Sequence, residues 1–180
     1  MTSCAFCALA ASKEGLVYED GALIALMHPK PASPGHMVVL PKEHVPVFEL
    51  LPPPVAGKLL GLANRLAGAA FEALPGLGGT NLVVQSGPAA GQETPHAAVH
   101  VIPRREADGL AFEPPRHQLP DDAMAAIEEG LRTAVEDLAK GPEQKPEPAP
   151  KKAEEPVEKK PERKGDDEHG WAKRQLRRMP

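Results

Sequence analysis

The stretch from 91 to 105 constrains this chain more than any other part of its sequence. Apolar residues alternate there with other types, and this period of two predicts a β-strand over 95–102. The face expected to point into the core carries Ala97, Val99 and Val101. His96 and His100 share the opposite face, with Ala98 between them. Two imidazoles placed this way indicate metal ligands or an anion site, and the alternative is a pair of solvated histidines.

A glycine-bounded loop, Gly87 to Gly91, leads into this strand, and Pro103 followed by two arginines ends it. Loops of this kind can bring backbone N–H groups close to an anion. We therefore expect the loop and the strand to belong to one site.

Composition divides the chain at about residue 141. Residues 1–141 hold nearly all the Leu, Val, Ile and Phe, and their 10 Lys and Arg against 16 Asp and Glu exclude a generic nucleic-acid binder. Residues 142–170 are rich in Pro, Lys and Glu and have little apolar surface to offset conformational entropy, which predicts a disordered linker. Residues 171–180 carry four positive charges and no acid, which suits a solubilising tail or a docking segment for a protein or acidic partner.

Five strands are expected in the apolar part of the chain. They lie on both sides of an Asp20-Gly21 hairpin turn, at 37–41, at 81–87 and in the 95–105 stretch. This number of short strands, together with the helices below, predicts an α+β fold built on a five-stranded antiparallel sheet.

Two helices are predicted from apolar stripes of helical period. The first, at 55–74, follows a run of prolines, and the second, at 121–140, follows Pro120 and ends before Gly141. We expect the first to pack on the sheet. Neither a signal peptide nor a membrane span is indicated, so a cytoplasmic protein is expected, with no membrane partner.

The two cysteines, Cys4 and Cys7, form a Cys-x-x-Cys motif near the N-terminus. This spacing is typical of a metal half-site or a redox pair and not of a secreted disulfide framework. Two thiolates can supply half of a tetrahedral zinc site, and the alternative is a pair of small buried hydrophobes.

The 91–105 stretch resembles the signature of the histidine triad (HIT) family, which is His-x-His-x-His after Gly-Gln with apolar alternate residues. A second stretch resembles the family at the same spacing, from Pro31 through His36 to His44. The resemblance covers about residues 1–107. It implies a HIT-like fold, nucleotide binding, and hydrolysis or transfer of nucleoside monophosphates.

Ala98 departs from the family pattern at its most consequential position. In relatives the middle histidine of the triad is the nucleophile, and a methyl group cannot attack phosphorus or carry a covalent nucleotidyl intermediate. The resemblance therefore implies a nucleotide-binding protein whose catalysis is impaired.

The resemblance also implies a structural zinc ion. Relatives with an N-terminal Cys-x-x-Cys hold it through both cysteines, the histidine that follows Pro-Lys and the first triad histidine. The corresponding positions are Cys4, Cys7, His44 and His96, a Cys₂His₂ set of the closed structural type.

Phosphate contacts are implied for His100, which is also assigned to the catalytic residues, for Gln92 and for the loop from Gly87 to Gly91. His28 stands about where relatives place an acidic residue that binds ribose hydroxyls, and an imidazole cannot make the paired acceptor contacts of a carboxylate. Gln85 stands where asparagine is common. A purine nucleotide such as AMP or GMP is the expected ligand, with weakened ribose contacts.

The resemblance further implies a homodimer and a partition into four parts: a HIT-like domain with a zinc knuckle at 1–107, a linker and helix at 108–141, the linker at 142–170 and the basic segment at 171–180. Two other hypotheses stand beside the impaired nucleotide binder. One is an active nucleotidyl hydrolase or phosphoramidase that carries an inactivating substitution or uses another mechanism. The other is a zinc-stabilised dimeric scaffold with a C-terminal docking tail.

Overall fold

The computed structural model describes residues 4–139, which divide into two units after Leu110. The predicted linker at 142–170 and the basic segment at 171–180 lie outside the described residues. The first unit contains the whole sheet, and the second contains one helix.

The elements of the first unit are α1 (Ala5–Ser12), β1 (Leu16–Glu19), β2 (Leu23–Met27), β3 (Met37–Pro41), α2 (Pro53–Ala73), β4 (Gly79–Val84) and β5 (Val99–Arg104). Short 3₁₀ turns lie at Phe48–Leu50 and Pro88–Ala90. The strand order is β1-β2-β3-β5-β4, and every neighbouring pair is antiparallel. The predicted α+β class with a five-stranded antiparallel sheet is confirmed.

The hairpin between β1 and β2 forms at the predicted Asp20-Gly21 turn. Oδ1 of Asp20 accepts hydrogen bonds from the backbone N–H groups of Ala22, at 2.8 Å, and Leu23, at 2.7 Å. A side chain that bonds to the backbone two residues on stabilises a turn locally, which explains why this dipeptide ends one strand and starts the next.

Helix α2 packs on one face of the sheet and contacts β3, β4 and β5. It begins at Pro53 because proline is tolerated in the first turn, where backbone N–H groups have no intrahelical partner. Its buried residues are Leu59, Leu62, Ala63, Leu66, Ala67 and Ala70. They form one core with the apolar face of the triad stretch, Ala97, Val99 and Val101, as the alternation predicts.

The other face of the sheet carries a second apolar cluster. Its sheet residues are Ile24, Leu26, Val38 and Leu40. The methyl group of Ala98 belongs to the same cluster. Phe6 of α1, 9% exposed, packs against this cluster. The N-terminal knuckle thus contains a helix, α1, that the sequence pattern did not predict.

The strand predicted over 95–102 begins later, at Val99. Its ladder with β3 ends at the Val39–Val99 pair, since Pro41 has no N–H to donate and its carbonyl accepts the side chain of His96 at 3.0 Å. The prediction was wrong for 95–98, although the alternation of faces continues through Ala97 and Ala98.

The second unit holds α3 (Asp121–Ala139), close to the predicted 121–140. Its large apolar side chains are between 49% and 80% exposed, and they are Met124, Ile127, Leu131, Val135 and Leu138. Among residues 4–139, no helix has the length and apolar character needed to cross a membrane.

Candidate functional site

The four predicted metal ligands come together in the first unit. Cys4 and Cys7 lie at the start of α1, His44 follows β3, and His96 precedes β5. One ligand atom from each lies within 4.8 Å of the others. The sulfur of Cys7 is 3.3 Å from Nδ1 of His44 and 3.4 Å from Nδ1 of His96. Zinc bonded tetrahedrally to sulfur and nitrogen separates the two atoms by about 3.5 Å, so the spacing fits zinc.

His96 is held in the form that a metal ligand needs. Its Nε2 lies 3.0 Å from the carbonyl oxygen of Pro41, which can only accept, so Nε2 carries the proton. Nδ1 therefore directs its lone pair at both cysteines, with Cys4 at 3.5 Å. Metal-binding histidines usually donate their second nitrogen to a carbonyl or carboxylate in this way.

Burial lowers the pKa of His96, which is 1% exposed, and keeps its imidazole neutral. Burial also raises the pKa of Cys7, and the hydrogen bond and charge of Cys4 act in the same direction. The metal-free Cys7 thiol thus holds its proton, which a bound metal ion would displace. The set fits a closed structural zinc site.

Three further histidines form a second cluster on the same side of the sheet as Ala98. His28 follows β2, His36 precedes β3, and His100 lies in β5, opposite Val38. Nε2 of His36 is 3.1 Å from Nδ1 of His100. The rings of His28 and His36 stack, with centroids 4.4 Å apart and planes 2° from parallel. Ligand atoms of the three also lie within 4.8 Å of one another.

His36 is buried in this cluster, and His28 and His100 are half-buried. Burial, assisted by the nearby His28 and His100, lowers the pKa of His36 to about 4. Burial and then the charge of His28 lower the pKa of His100 to about 4. Both imidazoles are therefore neutral at pH 7. His36 belongs to the second family-like stretch but was not predicted as a site residue, and the Pro-Gly that precedes it is the local signal.

Ala98 lies in sequence between His96, a member of the first cluster, and His100, a member of the second, and it is 6% exposed. The ring of Phe6 lies close by, with centroids 6.3 Å from His96 and 6.4 Å from His100. Where the family resemblance implies a nucleophilic imidazole, this chain has a methyl group in an apolar cluster. Nothing at that position can form a bond to phosphorus.

The side chain of Gln92 is used inside the protein. Its Oε1 accepts from the N–H of Gly87 at 2.7 Å, and its Nε2 donates to the carbonyls of Pro46, at 2.7 Å, and Thr94, at 3.0 Å. It therefore closes the loop that begins at Gly87. The predicted phosphate contact would require Gln92 to give up these bonds.

The loop itself also differs from the expected anion cradle. The N–H groups of Ala90 and Gln92 donate to the carbonyl of Gly87, and that of Gly91 donates to Pro88. With the N–H of Gly87 bonded to Gln92, these four amides close the turn and do not point at an anion. Gly91 has φ of +83°, a backbone conformation that favours glycine.

His28 is fastened to its own loop. Its Nδ1 is 2.8 Å from the carbonyl oxygen and 3.1 Å from the nitrogen of Lys30. Together with the stack on His36, this places the imidazole inside the histidine cluster. The structure thus brings His28, His36 and His100 together, and separately Cys4, Cys7, His44 and His96.

Comparison with known proteins identifies the family. The HIT domain model matches residues 10–107, more than half of the chain. The chain therefore belongs to the HIT family, as the triad-like motif indicates.

Individual relatives agree. The adenylylsulfatase HINT3 of Arabidopsis thaliana is 34% identical over 109 residues, which are 59% of this chain and 55% of that protein. The chain thus spans little more than half of that relative's length. A HIT-like protein of Mycobacterium tuberculosis is 34% identical over 110 residues, or 60% of this chain and 76% of that protein. A zinc-bound histidine triad family protein from Mycobacterium smegmatis is similar in structure, with a TM-score of 0.57, 30% identity, and coverage of 78% of this chain and 98% of that one.

Proposed function

We propose that this protein binds nucleotides through the HIT site and hydrolyses them slowly or not at all. The observation that supports this is the pairing of a retained, half-buried His100 with Ala98 at the nucleophile position. Removing the nucleophile of a serine protease costs about 10⁶ in turnover, whereas acid–base assistance alone typically contributes about 10²–10⁴. Nucleotide binding should therefore be retained, and catalysis largely lost, when alanine stands in place of histidine at position 98.

Structural zinc is the second part of the proposal. Cys4, Cys7, His44 and His96 would hold one ion, which would fasten α1 to the sheet. The matched geometry and the hydrogen bond from His96 to Pro41 support it. The ion takes no part in the chemistry, because four protein ligands leave no open position.

A purine nucleotide such as AMP or GMP is the proposed ligand, with its phosphate at His100. Gln92 contributes by holding the loop closed. His28 lies against His36 and has no carboxylate oxygens for a ribose diol, so the affinity is expected to be low. A homodimer, a cytoplasmic location and the four-part domain partition also belong to this proposal.

The deciding experiment measures binding and turnover together. Calorimetry with AMP and GMP should give weak, saturable binding. Turnover is assayed with an adenosine phosphoramidate, a dinucleoside polyphosphate and adenylyl sulfate, the last because HINT3 is named as an adenylylsulfatase. No appreciable hydrolysis is expected from the unmodified chain.

Ala98→His should then gain hydrolysis, because it restores an imidazole next to His100. Ala98→Asn is the matched control, since it adds a polar side chain of similar reach without a nucleophilic nitrogen. Robust turnover by the unmodified chain that His100→Ala abolishes would contradict the proposal and favour an active hydrolase with another mechanism.

One observation favours the scaffold hypothesis as a second candidate. The apolar side chains of α3 are exposed, from Ile127 at 49% to Leu138 at 80%, as a docking helix requires. Failure to bind any nucleotide, with no gain in Ala98→His, would shift the function to α3 and to the C-terminal segment, which lies outside the described residues.

A further inference from the structure

Helix α3 has an apolar face that is exposed in the described part of the chain. The large apolar side chains recur at intervals of three and four residues, which places them on one side of the helix. They are Met124, Ile127, Leu131, Val135 and Leu138, and each is about half exposed or more. Because most of the stability of such a helix comes from packing of its apolar face, a covering partner is expected.

The negative charge of residues 1–141 is concentrated in the same helix. Six acidic residues and one arginine lie within the 19 residues of α3. Outside α3, residues 1–141 carry ten acidic residues and nine lysines or arginines, which nearly cancel. A partner that matches α3 should therefore combine an apolar side with positive charge.

Residues 171–180 carry this complementary pattern in their sequence. They contain four positive charges and no acid. In a helix of 3.6 residues per turn, Trp171, Leu176 and Met179 would fall on one side and the four basic residues on the other. The acidic residues at 166–168 precede the segment, where negative charge favours the start of a helix. A basic amphipathic segment of this kind matches an acidic helix with an exposed apolar face.

The chain between α3 and this segment is long enough to bring the two together. Residues 140–170 separate them, and composition predicts a disordered linker over 142–170. About 30 residues of such a linker span about 30 Å on average. The 19 residues of α3 are about 28 Å long, so the whole helix is within reach. Tethering also raises the local concentration of the segment to about the millimolar range, in which weak binding is sufficient.

Charge favours this segment over a second copy of α3 as the partner. Two copies packed along their apolar faces would bring together two helices with the same acidic excess, and like charges at close range are destabilising. Glu128 lies four residues after Met124 and three before Leu131, so it borders the apolar face. A basic residue beside that face would meet a carboxylate there, whereas a second α3 would bring further acids.

We propose that residues 171–180 fold as an amphipathic helix onto the apolar face of α3 in the same chain. Trp171, Leu176 and Met179 contact the apolar side chains of α3, and the basic residues lie beside its acids. The two candidate docking elements of this protein thus cover each other, and a partner of either one must first displace the other. This inference goes beyond nucleotide binding and does not depend on it.

Trp171 is the single tryptophan of the chain, so its fluorescence reports on the proposed contact in the full chain. Its emission should lie at shorter wavelength than in the urea-unfolded chain, and acrylamide should quench it several-fold less. A Trp171 that is as accessible in buffer as in urea would overturn the proposal. Shielding that depends on protein concentration would assign the contact to a second copy and overturn docking within one chain.

Substitutions in α3 test the apolar side of the contact. Ile127→Ala combined with Leu131→Ala should make Trp171 several-fold more accessible to acrylamide. Thr133→Ala is the matched control, because Thr133 is exposed on the opposite side of the same helix and its loss should leave Trp171 shielded. Equal shielding in the double variant and in the control would place Trp171 against another surface and overturn the proposal.

Substitutions in the segment test the charges and leave the sequence of α3 unaltered. Arg174→Glu combined with Arg177→Glu should expose Trp171, and 1 M salt should weaken the contact in the unmodified chain because it screens exposed charges. Lys159→Glu combined with Lys160→Glu is the control, since it makes the same charge change in the linker and should leave Trp171 shielded. This pair of variants decides the question even if the alanine variant loses its helix, and equal shielding in both would overturn the proposal.

Hydrogen exchange identifies the surface that the segment covers. Backbone amides of α3 should exchange several-fold faster in the Arg174→Glu, Arg177→Glu variant than in the unmodified chain, because the covering helix is lost. Equal exchange would overturn docking on α3. Phosphatidylserine vesicles test a membrane surface, the other partner that a basic amphipathic segment matches. A Trp171 that is exposed in buffer and becomes shielded only when vesicles are added would overturn the proposal in favour of the membrane.

Discussion

Replacing Cys4 by alanine should detach α1 from the sheet and lower the melting temperature markedly. Of the eight described residues of α1, Phe6 is the buried one, and its burial contributes about 1.5–3 kcal/mol. A helix of this length has little stability of its own, so ordering its backbone uses up most of that gain. If the proposed zinc ion is bound, its bonds to Cys4 and Cys7 would therefore supply the attachment.

The size of the effect follows from the metal affinity. Substitution of a residue that hydrogen-bonds a metal ligand typically lowers the metal affinity by about 10–100-fold. Loss of a ligand itself should therefore cost at least about 1.4–2.7 kcal/mol of binding free energy. For a domain of this size each kcal/mol lowers the melting temperature by about 4–8 °C, which predicts a decrease of about 5–20 °C.

Melting followed by circular dichroism, with and without a chelator, measures this decrease, and elemental analysis of protein purified without added metal should give about one zinc per chain. Ser12→Ala is the control, because Ser12 lies in the same helix and is exposed. Hydrogen exchange should show α1 opening in Cys4→Ala while β3 and β5 stay protected. Unchanged melting in both Cys4→Ala and the chelated wild type, with the cysteines free, would refute a structural zinc.

Three further predictions concern stability and assembly. The free energy of unfolding in urea should fall as the pH drops from 6.5 towards 4. The pKa values of His36 and His100 are about 4 in the folded protein and 6.5 as free groups, so the unfolded chain binds more protons in that window, and the contribution of both groups is fully present above pH 6.5. An equally steep dependence of the unfolding free energy on pH in His36→Asn would contradict this prediction. Gly35→Ala should lower the free energy of unfolding by about 1–3 kcal/mol, since φ is +92° and the new Cβ would lie 2.5 Å from Leu74. Gly76→Ala, with φ of +72° and open space around the new Cβ, should lower it less. Equal losses in calorimetry would assign the cost to the backbone angle φ alone. Light scattering at micromolar concentration should give a dimer, and a monomer would contradict that part of the proposal.

Local patterns in the sequence determined most of the architecture. The alternation through Ala97, Val99 and Val101 predicted which face meets α2, because side chains in an extended chain point to opposite faces in turn. The Asp20-Gly21 turn and the stripe of α2 were likewise predictable, since each depends on residues close together in the chain. The four metal ligands followed from resemblance to a family, and the structure brings them to metal-binding distance.

Only the tertiary structure decided how distant polar groups are paired. His36 and His100 are 64 residues apart and meet because the β3–β5 register places Val38 opposite His100. Periodicity predicts the face that a side chain occupies, but not the loop amide or carbonyl that lies behind it. The carbonyl of Pro41 directs Nδ1 of His96 towards Cys4 and Cys7, whereas the amide of Ala32 directs His36 towards His100. The folding of the loops brings these backbone groups to the rings. The backbone group behind each of the two rings determines its tautomer, and the tautomer determines its chemistry.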